Sequence, residues 1–230
     1  MKKRGLTRKV FAVTLALMTM STSFAFAENA DSKAETECMT DNTEALTEAE
    51  TDTVTDTTDT ATEEDAKSDT LVVCFSCTGT TKGVAEKIVE LTDADFYEIL
   101  AADPYTEEDR NWHDDNSRTS IEQNDETVRP EIGSEELDLE GYKMIFIGYP
   151  IWWGQAPRIM DTFVESYDFE GITLVPFCTS GSSGIGKSGS NLAELAGSGD
   201  WLEGQRFAGS VSEEELQTWV EDRQSEAAEK

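Results

Sequence analysis

The chain has 230 residues, of which 48 are acidic and 18 basic, for a formal charge of −30. Binding to a phosphate backbone needs clustered Lys and Arg, so nucleic acid is excluded as a partner. A single histidine, His113, and four cysteines leave too little for a His-rich metal site or a disulfide-dense scaffold, and no metal site is expected.

The charge divides the chain in three. Residues 1–27 carry +5: Lys2, Lys3, Arg4, Arg8 and Lys9 precede an apolar run from Val10 to Met20 and the small-residue ending Ala25-Phe26-Ala27. That is the pattern of a secretory signal peptide cut after Ala27. Val10 to Ala27 spans only 18 residues with five Ser or Thr among them, which is marginal for a membrane span. The expectation is an exported protein, extracellular or at the cell surface, with no stable membrane insertion after cleavage. Residues 28–69 hold 15 acidic and 2 basic side chains amid Thr and Ala. Such a segment cannot bury enough surface to offset its chain entropy, so it reads as a disordered acidic Thr-rich linker.

Residues 70–230 are long enough for one domain with a substantial core. Four apolar runs read as strands: Leu71–Phe75, Phe96–Leu100, Met144–Gly148 and Ile172–Phe177, with a weaker fifth at Arg206–Gly209. Near-continuous apolar strands fit a parallel sheet covered on both faces. Helical spacing fills the gaps. Val84, Ile88 and Leu91 follow the first run, and Ile159, Phe163, Met160 and Val164 follow the third. Asn191–Ala196 is a short helical stretch, and Leu216, Trp219 and Val220 form a final stripe behind a Ser212/Glu215 capping box. The long polar connection from Asp103 to Gly141 is read as holding a helix from about Thr106 to Gln123, with His113 solvated. Alternating strands and helices predict an α/β domain with an open parallel sheet, whose ligands sit beyond the carboxyl ends of the strands.

Three loops lie there. Ser76-Cys77-Thr78-Gly79-Thr80-Thr81 brings hydroxyls, a glycine and a helix start together. It suits either a bound phosphate or an ordinary Ser/Thr helix cap. Pro150-Ile151-Trp152-Trp153-Gly154 puts two adjacent tryptophans in a loop, as walls for a flat heteroaromatic ring or as one core Trp beside one interface Trp. Thr179-Ser180-Gly181-Ser182-Ser183-Gly184 is small throughout, so backbone can approach a ligand closely.

The Ser-x-Thr-Gly-x-Thr pattern after a first strand resembles that of flavodoxins, and Gly-Tyr-Pro-Ile-Trp-Trp-Gly resembles the flavodoxin-like subgroup common in bacterial genomes. The resemblance covers most of residues 70–220. It implies a five-stranded, doubly wound, three-layer α/β/α fold that binds FMN noncovalently. Ser76, Cys77, Thr78, Gly79, Thr80 and Thr81 would then hold the phosphate. Pro150, Ile151, Trp152, Trp153 and Gly154 would contact the isoalloxazine ring, and Thr179, Ser180, Gly181, Ser182 and Gly184 would cover its other edge. The implied role is one-electron transfer between redox proteins, whose docking surfaces would be basic to match the acidic domain. An NAD(P)H-dependent flavin or quinone reductase is the alternative on the same fold, and a module that has lost its flavin is a second. An exported address is unusual among flavodoxins.

Two motifs compete. Gly181-Ser182-Ser183-Gly184-Ile185-Gly186-Lys187-Ser188 satisfies the P-loop pattern, but no later apolar strand ending in Asp follows to help hold Mg²⁺. Cys74 and Cys77 have C-x-x-C spacing, but the first lies inside a strand and the second in a loop, so packing is expected rather than redox chemistry.

Overall fold

The computed structural model describes residues 68–230; the expected signal peptide and nearly all of the expected acidic linker lie outside the described residues. Eleven elements follow in order: β1 (Thr70–Phe75), α1 (Thr80–Thr92), β2 (Asp95–Ile99), α2 (Arg118–Asn124), β3 (Met144–Pro150), α3 (Arg158–Ser166), β4 (Thr173–Thr179), α4 (Ser188–Ala196), β5 (Asp200–Trp201), β6 (Gln205–Phe207) and α5 (Glu213–Ala228). Every strand pair is parallel, in the order β2-β1-β3-β4-β5, with β6 also beside β4. This is the doubly wound α/β sheet that the alternating pattern predicts.

Side chains of each strand alternate between two cores. Leu71, Val73, Phe75, Ile145, Ile147 and Leu174 point to the face covered by Ile159, Met160 and Phe163 of α3 and Leu192 of α4. Val72, Cys74, Phe146, Val175 and Phe177 point to the face covered by Val84 and Ile88 of α1 and Leu216, Trp219 and Val220 of α5. The period of two in β1, β3 and β4 thus feeds both cores, and the sheet is buried on each side. Gly148 is needed where the second core is tightest, because a Cβ there would enter the ring of Phe177.

Two expectations need correction. The fifth sheet position is not one strand at Arg206–Gly209 but two pieces, β5 and β6. Pro176 of β4 explains the break, since it has no N–H to donate toward the edge. Leu174 pairs with Trp201 and Phe177 with Gln205, so one extra residue is accommodated on the edge side opposite the proline. Gly204 lies there, and a Cβ on it would be 2.5 Å from the Pro176 carbonyl oxygen.

The helix expected over Thr106–Gln123 is confined to Arg118–Asn124. Upstream, short polar side chains bond to nearby amides in place of a helical ladder. The Asp109 carboxylate accepts from the Thr106 amide at 2.9 Å, Asn111 from His113 at 3.1 Å and Asp114 from Asn116 at 2.9 Å. Ser117 then caps α2 by accepting from the Ser120 amide. His113 is exposed.

Candidate functional site

A cavity of about 330 Å³ opens at the carboxyl ends of β1, β3 and β4, where the strand order reverses. The first loop contributes Ser76, Cys77, Thr78 and Thr81, the second Pro150, Ile151, Trp152 and Trp153, and the end of β4 Thr179. Arg110, Trp112 and Thr119 complete it from the connection between β2 and β3. Sequence reasoning missed these last three. The one signal for them was a tryptophan stranded in an otherwise polar segment.

In the first loop the chain turns from β1 into α1 through Gly79, whose φ of 81° is the left-handed conformation that glycine adopts without strain. α1 starts with no side-chain cap, so its first amides face outward with the positive end of the helix dipole. Thr78 and Thr80 hydroxyls lie 3.3 Å apart at the surface. The Thr81 hydroxyl is buried and shares a 2.8 Å bond with that of Thr179, tying the first loop to the third. Lys82 points away into an ion pair with Glu98 at 2.6 Å. The arrangement is an anion-receiving turn of hydroxyls and open amides.

In the second loop, Trp152 and Gln155 exchange both backbone hydrogen bonds at 2.9 Å. Between them Trp153 and Gly154 have φ of 47° and 77°, the signature of a type I′ turn. Glycine is at ease there; tryptophan is not, and the left-handed conformation costs it about 1–2 kcal/mol. Trp152 packs edge-on against Phe75 and Tyr105, with ring centroids 5.7 and 5.3 Å away, while Trp153 is 43% exposed. Gln123 of α2 clamps the loop from outside, donating to the carbonyls of Trp152 (3.3 Å) and Ala156 (3.1 Å). Behind Trp152, the Tyr105 hydroxyl donates to Glu122 at 2.8 Å, and Arg118 bonds the same carboxylate and stacks on the Tyr105 ring. Burial, then that hydrogen bond, pushes the Tyr105 phenol well above its usual range.

The third loop behaves differently. Thr179 reaches the cavity, but Ser180, Gly181, Ser182 and Gly184 are not among its lining residues, and Gly181–Gly184 are exposed. The Ser180 hydroxyl donates to the Ser183 carbonyl, and Arg206 holds the Ser180 carbonyl at 2.7 Å. Gly79, Thr80 and Gly154 likewise shape the turns without lining the cavity.

The competing motifs resolve physically. Ser188 of the P-loop pattern is fully buried, donating to the Ile185 carbonyl at 2.7 Å and bonded to the Tyr149 hydroxyl at 3.0 Å. It faces the core rather than a metal-bound phosphate. Cys74 belongs to one core and Cys77 packs against the other, so the two thiols lie on opposite faces of the sheet. Burial pushes the Cys77 thiol up to about 11, against the opposing pull of Arg110 and Arg118. Such a thiol is unreactive at neutral pH. Among the described residues no group of three or more His, Cys, Asp or Glu side chains gathers to hold a metal. No helix among them is long and apolar enough to cross a membrane.

A parallel sheet in this order, with a hydroxyl-rich helix start and an aromatic turn at its switch point, defines a flavodoxin-like domain. The flavodoxin family model matches residues 69–223, and the chain belongs to that family. A candidate flavoprotein from Bacteroides eggerthii is 41% identical over 67% of this chain and 97% of its own, with a TM-score of 0.64. One from Bacteroides uniformis is 42% identical over 67% of this chain and 99% of its own, with the same TM-score. A flavoprotein from Lactobacillus acidophilus, solved in complex with FMN, shares the fold at 24% identity and a TM-score of 0.50, over 65% of this chain and 97% of its own. No curated protein matches the chain.

Proposed function

We propose that this domain binds FMN noncovalently and acts, after export, as a one-electron carrier between partner proteins. The observation that carries the reading is the single cavity joining an uncapped, hydroxyl-lined helix start to a strained two-tryptophan turn. The residues fit the cofactor. Ser76, Thr78, Thr80 and Thr81 hydroxyls, with the loop amides of Cys77 and Gly79 and the first amides of α1, would receive the phosphate. Pro150, Ile151, Trp152, Trp153 and Gly154 would flank the ring and keep water from it. Thr179 would meet the ring's polar edge, with Ser180, Gly181, Ser182 and Gly184 on the exposed side beyond it. The Lactobacillus flavoprotein, which binds FMN on the same fold, supports the choice of ligand.

Bound FMN supplies a ring that takes up and releases electrons singly or in pairs. The chain decides which regime prevails. Its share would be to hold the ring in a partly dry cavity within an acidic domain, which from residue 70 onward carries 33 acidic and 11 basic side chains. Such a setting would disfavour added negative charge and so would lower the potential for uptake of a second electron relative to free FMN. The same surface would recruit partners through basic docking faces.

Titrating the purified full chain with FMN, then reducing the complex stepwise with dithionite, tests the reading. A yellow complex reduced in two resolved stages supports it. A single two-electron stage, with fast oxidation of added NADH or NADPH, assigns the chain to the reductases instead. A chain that takes up no FMN defeats both.

A further inference from the structure

The cavity holds one cation that the fold does not use. Arg110 lines it, and among the described residues no carboxylate lies within ion-pair distance of its guanidinium. Seven of the eleven basic side chains from residue 70 onward sit in ion pairs, and Arg110 is not one of them. Its neighbour Asp109 is committed to the Thr106 amide and hydroxyl at 2.9 and 3.0 Å. The other cations near the site are committed too: Lys82 to Glu98, and Arg118 to Glu122 and Asp103. The Nε of Arg110 donates to the Thr106 carbonyl at 3.0 Å, which orients the guanidinium and, among the described residues, leaves both terminal nitrogens without an acceptor. Arg110 lines the same cavity as Ser76, Cys77 and Thr78 of the first loop, and its charge opposes the rise that burial imposes on the Cys77 thiol.

Resting on the FMN reading above, we propose that Arg110 is the counter-charge for the phosphate of a ligand seated on the first loop, and that it sets the preference for phosphorylated over unphosphorylated flavin. The loop from Ser76 to Thr81 contains no basic residue. Hydroxyls and amides can surround a phosphate, but the acidic domain opposes the arrival of a dianion. One guanidinium with two free terminal nitrogens answers both needs, because its fork matches two phosphate oxygens. It comes from a connection outside the sheet, so charge selection is separated from the loop that shapes the phosphate seat.

The full chain, Arg110→Gln and Arg110→Lys are titrated with FMN and with riboflavin, following flavin fluorescence. The apo proteins are also melted with and without inorganic phosphate at fixed ionic strength. Arg110→Gln is expected to bind FMN about 10–100-fold more weakly while riboflavin stays within about twofold, with part of the loss recovered by Arg110→Lys. Inorganic phosphate is expected to raise the melting temperature of the wild type and not of Arg110→Gln. Equal losses for the two flavins would place Arg110 against the ring and overturn the proposal, as would no loss at all. A wild type that takes up no flavin, yet is stabilised by phosphate only when Arg110 is present, would defeat the FMN reading and leave the anion site standing. A wild type with neither response defeats both.

Discussion

The sheet ends and the β2–β3 connection close one cavity by different physics. Ser76, Thr179 and Pro150 sit where β1, β4 and β3 stop, on backbone fixed by two buried cores. Arg110, Trp112 and Thr119 stand on a segment without a core of its own, held by Asp109, Asn111 and Asp114 bonding to local amides and by the Thr119 hydroxyl donating to the Asp109 carbonyl at 2.6 Å. Damage to the cores beneath the first region should unfold the domain. Damage to the second should leave it folded and change what it holds.

The largest effect is expected in the frame. Phe177 is fully buried, fills the space over Gly148 and meets Trp219. Phe177→Ala should cost about 3–5 kcal/mol of stability, read by urea denaturation, and should lower the affinity for every ligand together. Next comes the phosphate seat. Thr78→Ala with Thr80→Ala should weaken FMN by about 3 kcal/mol with unchanged melting and little effect on riboflavin, measured by fluorescence titration.

Gln123→Leu tests the connection itself. Loss of its two bonds to the tryptophan loop should weaken flavin binding by about 1–2 kcal/mol, with the Trp152 emission shifting red as the loop loosens. Trp153→Asn should go the other way for the apo protein. Asn tolerates the left-handed conformation, so unfolding should become about 1 kcal/mol harder while flavin affinity falls. Lys187→Ala is the smallest. It should change neither FMN affinity nor thermal stability beyond about 0.5 kcal/mol, and Mg-ATP should shift neither protein, because Ser188 is locked into the core.

The contrast between the regions also decides what a reader of the sequence can find. Val84 and Ile88, or Ile159 and Phe163, recur with the helical period because one face of each helix must meet the sheet. Ser76, Thr78 and Gly79 are legible because a strand-to-helix turn with open amides needs those residue types. Arg110 and Gln123 act through carbonyls of Thr106, Trp152 and Ala156, and a backbone oxygen leaves no mark in the sequence. The helix expected over Thr106–Gln123 failed for the same reason, since Asp, Asn and Ser serve their own amides before a helix can. The fifth strand was blurred by Pro176, a residue of its neighbour rather than its own.

That proline has a second consequence, for crowding. A parallel sheet has two free borders, and a long straight border invites other chains to add strands. Opposite Pro176 the outer border is cut into pieces of two and three residues with an added kink, too short and too bent to template a newcomer. At the other border, Leu100 and Ala102 bond with Gly133 and Glu131, while the Ser134 hydroxyl donates to the Glu98 carbonyl, so the connection caps what β2 would expose. The domain thus carries its protection against stacking in one ring residue and one irregular strap.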